Sequence, residues 1–403
     1  MVLTLSQKTG PLSAALLNST FIQGFELDDW HSEAPMHLNS IILPALFAAA
    51  TKAKSTISGS SFLLAYLVGL EVGPRVGNAL YGTHMLSMGW HSGPVFGHSA
   101  SSTAVSKLLD LPAGLIEDAV GMACTQAGGL MSAQYESEVK RMQHGFAARN
   151  GLFAALMAKS GYVGIKKVYE RPYGGFLATF GRGTGKDPAY LLEEVTKDLG
   201  SKWKTYSVRV KPYAAMAGTH GTIDCIRKLQ EEHPEQMKDL AGITSIKYEM
   251  AEAAFHHGGW KAERPMTSTG AQMNNAYVAA TQMVDGGVMT AEFRHDKLDR
   301  DLVWDLVEKS TCESSKEYAQ SFAQKATITF KDKPTLTAVV KAPRGIDPAL
   351  TNEEVVEKWR LLTRGIIDDD RRVKIENAVL NLDTFEDILD LEKLLSDLTG
   401  RSL

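Results

Sequence analysis

Val139-Lys140-Arg141-Met142-Gln143-His144-Gly145-Phe146-Ala147-Ala148-Arg149-Asn150-Gly151 sets three cations and an imidazole at the head of a Gly/Ala-rich run. The run continues through Leu152-Phe153-Ala154-Ala155-Leu156, and small residues at this density let one helix approach another closely. A helix start favours anions through its free N–H groups and its dipole. Cations beside it would complete a site for a small, multiply charged acid. A Lys-Arg pair alone is more often a solvated face, so the reading depends on the rest of the chain.

From His37 to about Gly161 the text is helical. Apolar residues recur at three and four in Ile41-Ile42-Pro44-Ala45-Leu46-Ala49 and across Leu63-Leu64-Leu67-Leu70. Gly73-Pro74, Gly93-Pro94 and Leu111-Pro112 punctuate helix ends, and Ala119 to Gly129 reads as a closely packed helix. The texture changes near Ser201. Thr205 to Val210 and Ile243 to Tyr248 alternate as strands do, and Ala326 to Phe330 with Leu336 to Val340 predicts a hairpin turning at Asp332-Lys333-Pro334. Helices are predicted over Gly221 to Glu232 and Ala271 to Gly286. Helical periodicity returns from Asn352, through Val355-Trp359-Leu362 and Ile388-Leu391-Leu394-Leu395. The fold class is therefore mainly α: a discontinuous all-helical domain, residues 1–205 and 343–403, with a smaller α+β domain inserted at 206–342.

The bulk composition excludes several classes. Net charge is 43 − 47 = −4, which offers no basic footprint for nucleic acid. In a negative protein of 403 residues an anionic ligand needs locally gathered cations, which singles out Lys140, Arg141 and Lys211. The three cysteines, Cys124, Cys225 and Cys312, form neither a CxxC pair nor a zinc spacing. No stretch approaches the ~20 apolar residues that span a bilayer. The start lacks the pattern of a signal peptide or an Arg-rich presequence, so an intracellular protein, cytoplasmic or mitochondrial, is expected. Two motifs are decoys. Gly181-Arg182-Gly183-Thr184-Gly185-Lys186 misses the phosphate-loop spacing, with Asp187 where Ser or Thr is required. His256-His257 in a strand or turn would point apart, with no third ligand in range, so no metal is predicted.

Further segments join the opening one: Gly24-Phe25-Glu26-Leu27-Asp28-Asp29-Trp30-His31 with His37, Gly89-Trp90-His91-Ser92-Gly93, Val210-Lys211-Pro212-Tyr213 with His220, and Glu263-Arg264-Pro265 running to Tyr277. Together they resemble the MmgE/PrpD family and, within it, the fungal cis-aconitate decarboxylases more than the 2-methylcitrate dehydratases. The resemblance runs in order from about Leu12 to the C-terminal region. Relatives usually carry further helices ahead of this start, and the family more often has Asp where this chain has Glu26 and Thr where it has Trp30.

The resemblance implies a closed helical domain with an α+β lid, a cleft between them, a homodimer and no cofactor. It places His37 and His91 as proton-handling catalytic residues and Lys140 and Lys211 on substrate carboxylates. Lys211 begins the lid, so closure would bring it onto the site. Glu26, Asp28, Arg141, His144 and Tyr277 are implied as substrate-binding. On the residues alone, Glu26, Asp28 and Asp29 read equally as a solvated turn, the better reading for Asp29, and Tyr277 as a core aromatic. His220 reads as structural, and His98 as an unexplained difference near the pocket.

The expected activity is cofactor-free decarboxylation of cis-aconitate, a small tricarboxylate, to itaconate and CO2. The alternatives are dehydration of 2-methylcitrate or an alkylcitrate, and an inactive homologue with a scaffold role. Replacing Lys140 or Lys211 by Ala is expected to abolish turnover and leave thermal unfolding nearly unchanged.

Overall fold

The computed structural model describes residues 7–319 and 321–400. Its N-terminal part is helical: α1 (Pro11–Ile22), α2 (Leu38–Ala50), α3 (Gly59–Ala79), the one-turn α4 (His84–Ser87), α5 (Ser92–Leu108), α6 (Ala113–Cys124), α7 (Val139–Lys159) and the short α8 (Phe176–Phe180). The centre is α5, buried at every position from Ser92 to Ser106 and packed against α3 and α7. Its Ser/Ala composition makes that possible, because small side chains bring neighbouring backbones close. At Gly151 on α7 a Cβ would lie 1.9 Å from Ser101 Oγ, so the crossing with α5 requires glycine.

Leu38, Ile41, Leu46, Phe62, Phe96 and Leu152 form the middle of this first core. Ala378, Leu382, Ile388 and Leu391 complete it from the far end of the chain. They belong to or flank α16 (Asp369–Leu380) and α17 (Leu389–Ser396), which follow α15 (Asn352–Thr363). The helical layer is thus discontinuous in sequence.

A second core lies between. It holds α9 (His220–Glu232), the one-turn α10 (Pro234–Met237), α11 (Glu252–Gly258), α12 (Ser268–Met273), α13 (Asn275–Asp285) and α14 (Asp301–Glu308). A sheet joins them with strand order β4-β3-β5-β6, where β3 is Ile243–Met250, β4 Ser310–Ser314, β5 Gln324–Phe330 and β6 Leu336–Val340. The β5–β6 hairpin is antiparallel with Ala326 opposite Ala338, as predicted, and β3 pairs parallel with β4. Alternate residues of β5 are buried, so its inward face meets Ile223, Ile226 and Leu229 of α9 within one core. The molecule is mainly α with a small α+β portion.

Local expectations shift in three places. The strand expected from Thr205 shortens to β2 (Val208–Val210), preceded by a 3-10 turn at Lys204–Ser207. It pairs antiparallel with β1 (Asp29–His31). The helix expected from Ala271 to Gly286 breaks at Asn274, whose side chain accepts from Tyr277 N and caps α13. The helix expected to end at Gly129 stops at Cys124 instead, and Gly129 turns through a φ of 142°. No helix among the described residues is long and apolar enough to cross a membrane.

Candidate active site

The acidic segment before α2 is buried. Asp29 is 2% exposed, and its Oδ2 and Oδ1 accept from Leu38 N at 3.1 Å and Asn39 N at 3.0 Å. It therefore caps α2 from nine residues upstream, which overturns its expected place in a solvated turn. The free N–H groups of a buried helix start need acceptors, and a carboxylate meets two of them. His37 stands at the N-cap position of α2 but makes no capping bond. Its ring is free to line the cavity, with Nδ1 3.0 Å from Asp28 Oδ2. Burial would raise the Asp28 carboxyl, but His37 and Lys211 beside it hold it below its ordinary value.

Glu26 is the hub. Its backbone sits in the left-handed region at φ 54°, a strained choice for a residue with a Cβ and one that recurs at functional sites. Lys140 Nζ and Arg141 donate to its Oε1, Lys211 Nζ to its Oε2 at 2.5 Å, and Gln23 Nε2 to Oε1 at 3.3 Å. Burial acts to raise this carboxyl, yet Lys140, Lys211 and Arg141 together hold it well below the usual range. The β1–β2 ribbon makes the meeting possible, because Lys211 N bonds Asp28 O at 3.1 Å where the ribbon ends. Lys140 and Arg141 come from the first turn of α7. Three cations against Glu26 and Asp28 leave 3 − 2 = +1 before His37 is counted. Burial pushes the Lys140 ammonium down to about 8, with Glu26 opposing.

Three imidazoles stand alongside. His144 lies between His37 and His91, edge to face with each at centroid distances of 4.9 and 4.7 Å. Neither His144 nitrogen has a hydrogen-bond partner among the described residues, and a Cβ at Gly93 would fall 2.4 Å from its Nε2, so that close approach needs glycine. His91 Nδ1 is 2.8 Å from Gln143 Oε1, while Gln143 Nε2 donates to Leu130 O at 3.0 Å. That second bond fixes the amide orientation. His91 therefore carries its proton on Nδ1 and a lone pair on Nε2. Burial pushes the His91 imidazolium well down, with Lys140 adding to the effect, so the ring is neutral.

A cavity of about 430 Å³ opens over these groups and is lined by Glu26, His37, His91, Lys140 and Lys211. Asp28, Arg141 and His144 sit directly behind its wall, each touching a residue that lines it. Tyr277 is not brought to the cavity. Its hydroxyl donates to Leu298 O at 3.1 Å and its ring packs 5.8 Å from Trp304 inside the second core. His98 is likewise a core residue, with Nδ1 2.6 Å from Pro94 O and Nε2 3.1 Å from Asn150 Nδ2. His220 packs on Ala215 O at 3.0 Å, as read from sequence.

Two residues escaped the sequence reading. His257 lines the cavity, because the His256-His257 pair lies on α11 rather than in a strand or turn. On a helix the two rings diverge by about 100°: His256 faces out beside Glu252, and His257 faces in, where burial pushes it down to about 4. Lys358 on α15 donates to Leu27 O and, at 2.8 Å, to Lys211 O, bracing both acidic and lysine segments from below. Among the described residues no three His, Cys, Asp or Glu side chains are grouped to share a metal ion.

The chain belongs to the MmgE/PrpD family: residues 1–188 match the MmgE/PrpD N-terminal domain and residues 213–384 the MmgE/PrpD C-terminal domain. It is 50% identical over 406 residues to the cis-aconitate decarboxylase-like protein oryM of Aspergillus oryzae, covering 98% of this chain and 84% of that one. It is 45% identical over 407 residues to a cis-aconitate decarboxylase of Aspergillus terreus, covering 98% and 83%. Against the human cis-aconitate decarboxylase identity is 26%, over 96% of this chain and 79% of that one.

Proposed function

We propose that the protein is a carboxy-lyase that converts cis-aconitate to itaconate and CO2 without a cofactor. The observation that carries this reading is the meeting of Lys140, Arg141 and Lys211 with the His37–Asp28 pair at one cavity. The names of the 45–50% identical relatives support it. Lys140 and Lys211 hold two substrate carboxylates, each charged hydrogen bond contributing roughly 1.5–3 kcal/mol when desolvated. The bond from the methylene carbon to its carboxylate then breaks. Its electron pair becomes the new terminal double bond, CO2 departs, and the pair of the old double bond takes one proton at the former vinyl carbon.

His37 supplies that proton. Asp28 faces it with the carboxylate an imidazolium needs, whereas His91 is held neutral with a lone pair on Nε2. His91 acts as an acceptor and orients a protonated group. The same lone pair favours a second reading, dehydration of 2-methylcitrate or an alkylcitrate, in which His91 removes a C–H proton and His37 assists hydroxide departure. Chelator-treated protein given cis-aconitate and followed by NMR tests the choice. Itaconate and CO2 are expected, water loss from 2-methylcitrate alone would replace the first reading with the second, and no change in either acid would sink both.

The proposal extends to organisation. Residues 1–205 and 343–403 form one domain and 206–342 a lid, a division supported by the membership of the two cores. The chain pairs as a homodimer through the outer face of α7, where Val139, Met142 and Phe153 are exposed beside Phe146, on the side away from Lys140. Light scattering at twice the mass of one chain is the expected result, and a monomer would remove the proposal.

A further inference from the structure

Three imidazoles line the cavity, and two of them are already committed. His37 is engaged by Asp28 and His91 by Gln143. The third, His257, has no hydrogen-bond partner among the described residues. Its helix brings it there: α11 contributes Ala253, Ala254 and His257 to the wall, and of these only His257 carries polar side-chain atoms. Residues three and four apart share one helix face. Ala254 and Phe255 seat α11 on the second core, and the same helix packs against α4 of the helical part. The charges that act on the His257 ring are Lys140, Glu26, His37 and Lys211, all of which line the same cavity. Burial, with Lys140 adding to it, keeps the ring neutral at pH 7. A neutral imidazole offers one N–H and one lone pair. It can therefore donate to an anionic oxygen without adding a further cation to the site.

That neutrality matters for the step proposed above, which removes negative charge from one carboxylate and leaves it on two. A cation set against the departing group would stabilise the bound acid more than the transition state, and would slow the step. A neutral donor orients the same group and gives up less as the charge leaves. We propose that His257 donates its N–H to the carboxylate that departs as CO2, while Lys140 and Lys211 hold the two that remain in the product. It supplies the substrate contact from the second core for which Tyr277, packed under Leu298 and Trp304, is too deeply placed. The role as a departing-group contact rests on the lyase reading. The contact with a third carboxylate is measurable without turnover.

The test is titration calorimetry of the full chain with two unreactive acids, propane-1,2,3-tricarboxylate and methylsuccinate, which is the same skeleton without one terminal carboxylate. Neither has a double bond to accept the electron pair of a departing carboxylate. His257→Phe should weaken binding of the tricarboxylate about tenfold or more, the loss of one hydrogen bond to a charged group, and leave methylsuccinate within about twofold. His257→Gln keeps an N–H donor and should recover part of that loss, which a merely structural role would not require. Thermal unfolding at the wild-type temperature establishes that each variant is folded. An unchanged tricarboxylate affinity in His257→Phe would overturn the inference, as would an equal loss for both acids. Turnover of cis-aconitate by the wild-type chain is read separately. Its absence would sink the proposed function, and the affinity ratio would still decide whether His257 binds a third carboxylate.

Discussion

Lys140 is already engaged by Glu26, which changes what its removal does. The sequence suggests that Lys140→Ala would leave unfolding unchanged. With Glu26 buried beneath it, the variant withdraws one of three cations from that carboxylate. A loss of about 1–3 kcal/mol in stability is expected beside a fall of roughly 10–150-fold in kcat/KM, since a buried charge loses one of its partners. Thermal unfolding together with steady-state kinetics measures both, and wild-type values for both would remove Lys140 from the site.

The pH dependence follows from the same residue. Burial brings the Lys140 ammonium down to about 8, so it sheds its charge as pH rises through that value and KM should climb above it. Lys358 is also brought down by burial to about 8, so the profile is repeated in Lys358→Met, where the rise should persist. A flat KM from pH 7 to 9.5 would refute the assignment. The stability effect has the opposite sign. A lysine lowered on folding penalises the fold below about 8, and the penalty eases as pH approaches the unfolded value of about 10.4. His37, Lys140 and Lys211 were singled out by the family resemblance, and all three line one cavity. The convergence of the two lysines on Glu26 was not legible, because it joins residues 114 and 185 positions apart. Tyr277 misled because an aromatic on an Ala-rich helix reads the same whether it faces a core or a ligand.

At the level of elements, Asp29 ties β1 to the head of α2 and so sets where His37 stands. Asp29→Ala should cost about 1–3 kcal/mol through the lost cap and the orphaned N–H groups, and should lower kcat more than it raises KM. Asp29→Asn keeps one of the two acceptors but turns an NH2 towards the other N–H, so it should recover only part of the loss. Wild-type thermal unfolding of Asp29→Ala would show that the cap is unimportant. Periodicity made the long helices and the β5–β6 hairpin readable. It could not reveal that the Ala271 to Gly286 stretch breaks, because Asn274 is compatible with a helix interior until its side chain is seen capping the next one. The short β1–β2 ribbon was hidden for a related reason: three-residue strands carry too few positions to show alternation.

For the whole molecule, the C-terminal helices belong to the first core. Phe385 O accepts from Gly59 N at 2.8 Å, and Leu382, Ile388 and Leu391 are buried there. A chain ended after residue 342 should lose the cooperative unfolding of its helical part, since burial of each such side chain contributes about 1.5–3 kcal/mol. An unchanged melting curve by circular dichroism would contradict the proposed division of the chain.

Glu26 gathers the chain from residue 26, from the head of α7 and from the end of β2, while α15 braces the join from beneath. Such a junction exists only while the two cores stay docked, and docking surfaces generally open at lower free energy than the cores they connect. Mild urea should therefore extinguish the proposed turnover while the helical signal is still intact, so that the proposed site is the earliest casualty of unfolding and, on refolding, the last part to regain its native form.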